Sequence, residues 1–181
     1  MEKLTQRFRI LAALLAALTV AGLARANVPH SAAELKAVFL FNFGSFVEWP
    51  PEAMPAAGQP FCIGVCGSPE VASALEAVVA GERIQNHPVR VVLVRHRAEA
   101  LSCQILYLAA GEEGVVNADA LRGKAILTTG DTDRFEAGGG IVRFVPERNR
   151  IRLVVDLDHA RAAGLKISSQ LLRIAETRGS P

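Results

Sequence analysis

The chain has 181 residues, half of them hydrophobic, with 20 Lys+Arg against 18 Asp+Glu and a formal charge of +2. A chain of this size closes one core without needing disulfide or metal staples. The slight basicity sits at the N-terminus, where Lys3, Arg7, Arg9 and Arg25 face only Glu2; the remainder holds 16 basic and 17 acidic residues, which excludes a nucleic-acid footprint.

Residues 1–26 read as a secretory signal peptide: basic MEKLTQRFR, the small apolar run ILAALLAALTVAGLA, then the exit Ala24-Arg25-Ala26. The apolar run has about 15 residues, short of the roughly 20 that span a membrane. Cleavage near Ala26 predicts an exported domain over 27–176 and a flexible tail over 177–181.

Residues 31–48 are predicted helical. Ser31 caps and Glu34 completes a capping box. Leu35, Val38, Phe39, Phe43 and Phe46 recur at helical spacing, while Leu40 and Phe41 lie on other sides, so this helix needs cover on more than one face. Pro50-Pro51 ends it. FCIGVCG (61–67) reads as a strand into a glycine turn. Residues 69–80 read as a helix with Ser68 as cap and Pro69 in its first turn. Strands follow at 89–94, 104–108 and 124–128, with a short turn or helix at 98–102 and a short helix at 114–122 between them. Residues 131–140 read as a loop. The runs 141–145 and 151–156 form a hairpin around PERNR, and short helices follow at 158–163, capped by Asp158, and 168–176. The fold class is α/β: a compact, single-domain, Rossmann-like β-α-β core with a C-terminal β-hairpin and short helices.

The residues offer little chemistry. The turn GVCGSP has two of the three glycines that a dinucleotide fingerprint needs. Asp131, Asp133, Asp156 and Asp158 suit turns and caps better than an acid–base pair. His30, His87, His96 and His159 lack metal-ligand or catalytic spacing. No catalytic residue, cofactor or metal site is predicted. The three cysteines, Cys62, Cys66 and Cys103, lie in the exported part. Cys62 and Cys66 share one strand face and Cys103 precedes a neighbouring strand, so either could bridge to Cys103, or all three could be buried thiols.

LKAVFLFNFGSFVEWP carries the pattern N-F-x-x-F-x-x-W-P in Asn42, Phe43, Phe46, Trp49 and Pro50. FCIGVCG, Cys103, the pair Gly139-Gly140 with Phe144, and GLKISSQLLRIA with Leu165, Ser168, Ser169, Leu171 and Leu172 complete a set that resembles the YfiR family over about 33–175. The resemblance implies a periplasmic, non-catalytic regulator that tends to form homodimers. It implies repression of an inner-membrane diguanylate cyclase through its periplasmic sensor domain, lowering cyclic-di-GMP and biofilm formation. It also implies sequestration by an outer-membrane OmpA-like lipoprotein and tuning by redox state. A ligand- or redox-sensing module acting on another receptor, such as a histidine kinase, is the second expectation. The chain departs from the family where Gly64 replaces its first cysteine, where its later cysteine pair is missing, and where Arg143 and Asp156 replace asparagines. Leu171, Leu172 and Ile174 are the candidate partner-binding residues, set against the reading that this short helix is core. The signature residues Asn42, Phe43, Phe46, Trp49, Pro50, Gly139, Gly140, Ser168 and Ser169 are expected to be structural.

Overall fold

Ser31 starts the first helix through the predicted reciprocal cap: its hydroxyl accepts from Glu34 N and the Glu34 carboxylate accepts from Ser31 N. The computed structural model describes residues 31–112, 116, 118–148 and 150–179. The expected signal peptide and His30 lie outside them. Helix α1 runs Ala32–Phe46; the chain then extends as the short strand β1, Val47–Glu48, rather than continuing helical to 48. The elements that follow are β2 (Phe61–Cys66), α2 (Pro69–Val79), β3 (Arg83–Ile84), β4 (His87–Leu93), α3 (Arg97–Ala100) and β5 (Ile105–Leu108). After them come β6 (Leu127–Gly130), α4 (Asp133–Ala137), β7 (Val142–Glu147), β8 (Arg150–Asp156), α5 (Leu157–Ala162), β9 (Lys166–Ile167), α6 (Ser169–Leu172) and β10 (Ala175–Arg178).

One eight-stranded sheet has the order β10-β8-β7-β6-β5-β2-β4-β3. Strands β4, β2, β5, β6 and β7 are parallel; β8 returns antiparallel to β7, as the hairpin pattern predicts, and β10 lies parallel to β8. The chain leaves the central β2 for β4 on one side, then crosses back to β5 on the other, so the two halves wind in opposite directions from the β2–β5 boundary. Apolar residues on both faces of β2 and β5 match burial on both sides. The larger core packs α1 and α2 onto Phe61, Ile63, Val65, Ile105, Tyr107 and Phe144. A second core on the other face gathers Cys66, Val94, Leu106, Leu108, Leu121 and Phe135.

Several boundaries differ from expectation for identifiable reasons. The strand expected at 124–128 starts at Leu127, because Lys124 N still closes a turn on Leu121 O at 2.9 Å. Of the helix expected at 114–122, residues 113–115 and 117 lie outside the described residues, and Asp119–Leu121 is a 3-10 turn. The loop expected at 131–140 contains α4, capped by Thr132. Asp156, not Asp158, caps α5, accepting from His159 N at 2.8 Å. The helix expected at 168–176 is only α6; Ala175–Arg178 turns extended and pairs with β8, so Thr177 and Arg178, expected in the flexible tail, belong to the sheet.

Candidate functional site

The signature residues converge on structure. Phe43 is fully buried, with its ring 6.2 Å from Phe39 and 6.1 Å from Phe144. Phe46 and Phe41 are half-buried against the same cluster, with α2 alongside α1. Trp49 packs edge-on to Phe61 at 5.2 Å and donates its indole N–H to Gln104 O at 3.2 Å. Asn42 donates to Val38 O within α1. Pro50 opens the 3-10 turn at Pro51–Ala53. The two end motifs, distant in sequence, meet: β1 pairs antiparallel with β9, Val47 opposite Ile167, and Ser168 N donates to Phe46 O at 2.8 Å. The Ser168 hydroxyl then caps α6 by accepting from Leu171 N, while Ser169 is exposed at the first position of that helix. Gly139 has φ +90, and a Cβ on Gly140 would lie 2.2 Å from the Phe135 ring, so the glycine pair is what lets α4 close onto the sheet.

The second region is the thiol set. Cys62, Cys66 and Cys103 are all buried and all carry free thiols. Gln104 N donates to Cys62 O, which brings the adjacent Cys103 beside Cys62, while the Cys103 thiol donates to Glu99 O at 3.5 Å. The neighbouring Cys103 thiol holds the Cys62 thiol below its usual range, with further support from Arg90; Cys62, then burial, push Cys103 up. A Cβ built on Gly64 would lie 3.1 Å from Cys103 Sγ, so the expected family cysteine position faces the same thiol. Cys66 sits apart, its thiol 3.9 Å from Glu112, and burial followed by that carboxylate raises its pKa.

Glu112 also decides what the first βα turn can hold. Its side chain covers Gly67: a Cβ there would lie 2.1 Å from Glu112 Cγ. A carboxylate thus occupies the place where a bound nucleotide's phosphates would approach the start of α2, and like charge disfavours them there. At the neighbouring strand ends, Lys36 Nζ bridges Asp131 at 2.8 Å and the Tyr107 hydroxyl at 3.0 Å, and Tyr107 donates a short hydrogen bond to the same carboxylate. Burial, then Asp131, pushes the Tyr107 pKa well above its usual range. Lys36 and Tyr107 were not among the sequence candidates, because 71 residues separate them. This group ties α1 to the carboxyl ends of β5 and β6. Asp133, another acidic candidate, pairs instead with Arg143 on β7, whose Nε also contacts Glu136 at 2.6 Å. Among the described residues, no group of three or more His, Cys, Asp or Glu is placed to hold a metal ion.

The C-terminal candidates divide. Leu171 is 0% exposed and belongs to the main core, so it offers no surface to a partner. Leu172 is half-buried against that core, and Ile174 is 61% exposed. No helix among the described residues is long and apolar enough to cross a membrane.

A family model described as DUF4154, YfiR/HmsC-like, matches residues 33–176. No curated protein matches the chain. A crystal structure of a conserved domain protein from Vibrio cholerae O1 biovar El Tor is similar at 14% identity with a TM-score of 0.48. The match covers 82% of this chain and 60% of that one, a likeness too distant to bear on function.

Proposed function

The chain belongs to the YfiR/HmsC-like family of periplasmic, generally non-catalytic regulators, and from that premise we propose that it represses a membrane-anchored diguanylate cyclase by binding the cyclase's periplasmic sensor domain. Repression lowers cyclic-di-GMP and, with it, biofilm formation. The observation that carries this reading is the extent of the family match, which takes in both end motifs and everything between them. Glu112 over Gly67 supports it by disfavouring a nucleotide at the turn. Ile174, which is exposed, and Leu172, half-buried against the main core, are the apolar residues assigned to the partner contact at the C-terminal end. An outer-membrane OmpA-like lipoprotein competes for the protein and relieves repression, and the protein acts as a homodimer.

Deleting the gene and restoring it on a plasmid tests the reading. Cyclic-di-GMP should rise on deletion and fall on restoration; unchanged levels in both strains would sink it. Ile174→Asp, purified and well folded, should lose capture of the inner-membrane cyclase relative to wild type.

A second reading, a redox-sensing module acting on another receptor such as a histidine kinase, is favoured by the Cys62–Cys103 contact. Both thiols lose a proton and together give two electrons to a periplasmic disulfide oxidant, whose own disulfide is reduced to a dithiol. Mass analysis with and without reductant separates the two. A Cys62–Cys103 bridge that changes receptor output, with no change in cyclic-di-GMP, favours the second.

A further inference from the structure

Cys62 and Cys103 are held side by side through one residue. Gln104 donates its backbone N–H to Cys62 O at 3.0 Å, and its Oε1 accepts from Cys62 N at 2.8 Å. Both main-chain polar groups of Cys62 are thus fixed to the residue that follows Cys103. The Gln104 amide nitrogen donates to Ala53 O at 3.1 Å, which holds its side chain in that pose. Cys103 is fixed in turn by its N–H on Ala100 O and its thiol on Glu99 O. Both side chains are nearly sealed, at 1% and 2% exposure. A Cβ on Gly64 would lie 3.1 Å from Cys103 Sγ, so this glycine leaves open the space that the second thiol fills against β2.

The charge beside the pair is positive. Arg90 stands opposite Cys62 in the β2–β4 pairing, and it is exposed. Its charge favours the thiolate at both cysteines. The Glu99 carboxylate is engaged elsewhere, accepting from Arg95 N and His96 N. Among the described residues, no third His, Cys, Asp or Glu joins the two thiols in a metal-holding group. Zinc, which takes four ligands in a structural site, is therefore poorly served here. Cu(I) is soft, selects thiolate sulfur and is satisfied by two such ligands in line. Held between two thiolates, it leaves one net negative charge, which Arg90 balances in a buried place where an unpaired charge is costly. Arg90, beside Cys62, and Ser102, next to Cys103, are both exposed, so the pair lies one side-chain layer beneath the surface.

We propose that the Cys62–Cys103 pair binds a soft monovalent cation, Cu(I), as a two-coordinate bis-thiolate with Arg90 as its counter-charge. Each thiol gives its proton to solvent, two Cu–S bonds form and no electron is transferred. The site stands on the placement of these residues, apart from the regulator reading. Bound copper and a Cys62–Cys103 disulfide exclude each other, because both use the same two sulfurs.

The test titrates Cu(I) into the reduced exported protein without oxygen, against a chromophoric chelator, with Ag(I) as a redox-inert second probe. One ion per chain should bind, and X-ray absorption should show two sulfur neighbours. Cys62→Ser and Cys103→Ser should each weaken binding by more than about 100-fold, beyond what loss of a supporting residue costs. Cys66→Ser should bind like wild type. Arg90→Gln should weaken binding by about tenfold, and Arg90→Lys should restore it. Should a serine variant misfold by circular dichroism, wild type oxidised to the Cys62–Cys103 disulfide should lose the metal and regain it on reduction. Absent binding by reduced wild type, undiminished binding by a folded Cys62→Ser or Cys103→Ser protein or by the disulfide form, or loss on Cys66→Ser would overturn the proposal. So would an ion shared between two chains, or nitrogen and oxygen neighbours in place of sulfur. The cyclic-di-GMP measurement on the gene deletion decides the regulator reading separately.

Discussion

The two sides of α1 follow opposite rules. Toward the sheet and the C-terminal motif, its residues are large, aromatic and closed over: Phe43 stacks on Phe144, Phe39 packs tilted against the same ring, and β1 clasps β9. Toward α2 and solvent, the described lining is small and open, with Ala33, Ser73, Ala74 and Ala77 among its residues. The residues that identify the family lie on the closed side, where a change of shape is costly. The open side offers surface that can vary without unfolding the domain.

The largest break in this comparison should come from Phe43→Ala, which empties the closed side. We expect a loss of about 3–5 kcal/mol in urea unfolding, against about 0.5 kcal/mol or less for Ala77→Arg on the open side. The single tryptophan, Trp49, reports both transitions by fluorescence. Comparable losses at the two positions would erase the distinction.

Next in size is closure of the thiol pair. Oxidation linking Cys62 to Cys103 should stabilise the fold by about 3–4 kcal/mol through its loop of roughly 40 residues, and Cys62→Ser should abolish the gain. Cys66→Ser should leave it intact, because Cys66 faces Glu112 instead. A bridge through Cys66, seen by mass spectrometry after digestion, would reverse this assignment.

The closed side should also show itself at high pH. The folded-state pKa of Tyr107 is raised by burial and Asp131, so its contribution to stability is complete below the tyrosine's unfolded pKa. As pH rises above about 10, where free tyrosine ionises, that contribution is progressively lost. Tyr107 is the only tyrosine in the chain, so tyrosinate absorbance reads it directly. The band should appear only with unfolding, and Tyr107→Phe should flatten the alkaline fall in stability. A normal titration in the folded protein would disprove the burial argument. The smallest effect belongs to the cap that joins the end motifs: Ser168→Ala should cost about 1 kcal/mol in urea unfolding, and no change would mean that the clasp holds without it.

Much of the closed side was legible in the sequence. Ser31 with Glu34 marked the start of α1, helical spacing gave its aromatic stripe, and the two-residue strand period put Cys62, Gly64 and Cys66 on one face. The choice of Cys62 over Cys66 was not legible, because it depends on β2–β5 register and on Glu112 reaching back over Gly67. Strand β10 was missed because AETR has no alternating pattern; it lies at the sheet edge with three of its four residues exposed. Helix α4 was missed because five residues are too few for a period. Leu171 reads equally as surface or core in a four-residue helix, and only tertiary packing settles its burial. The open side left no signal in the sequence, since a stripe of alanine and serine reads as ordinary helix.

The β1–β9 pair joins positions about 120 residues apart, and this bears on the order in which the chain can fold during export. A polypeptide that emerges N-terminus first presents the aromatic side of α1 long before Ile167 and Ser168 arrive to cover its end. Contacts of such wide separation form late, and the apolar surface awaiting them is open to wrong pairing. The domain can thus complete its closed side only after nearly the whole chain has crossed the membrane. A stalled or truncated product would remain recognisable as unfinished by the very aromatics that mark the family.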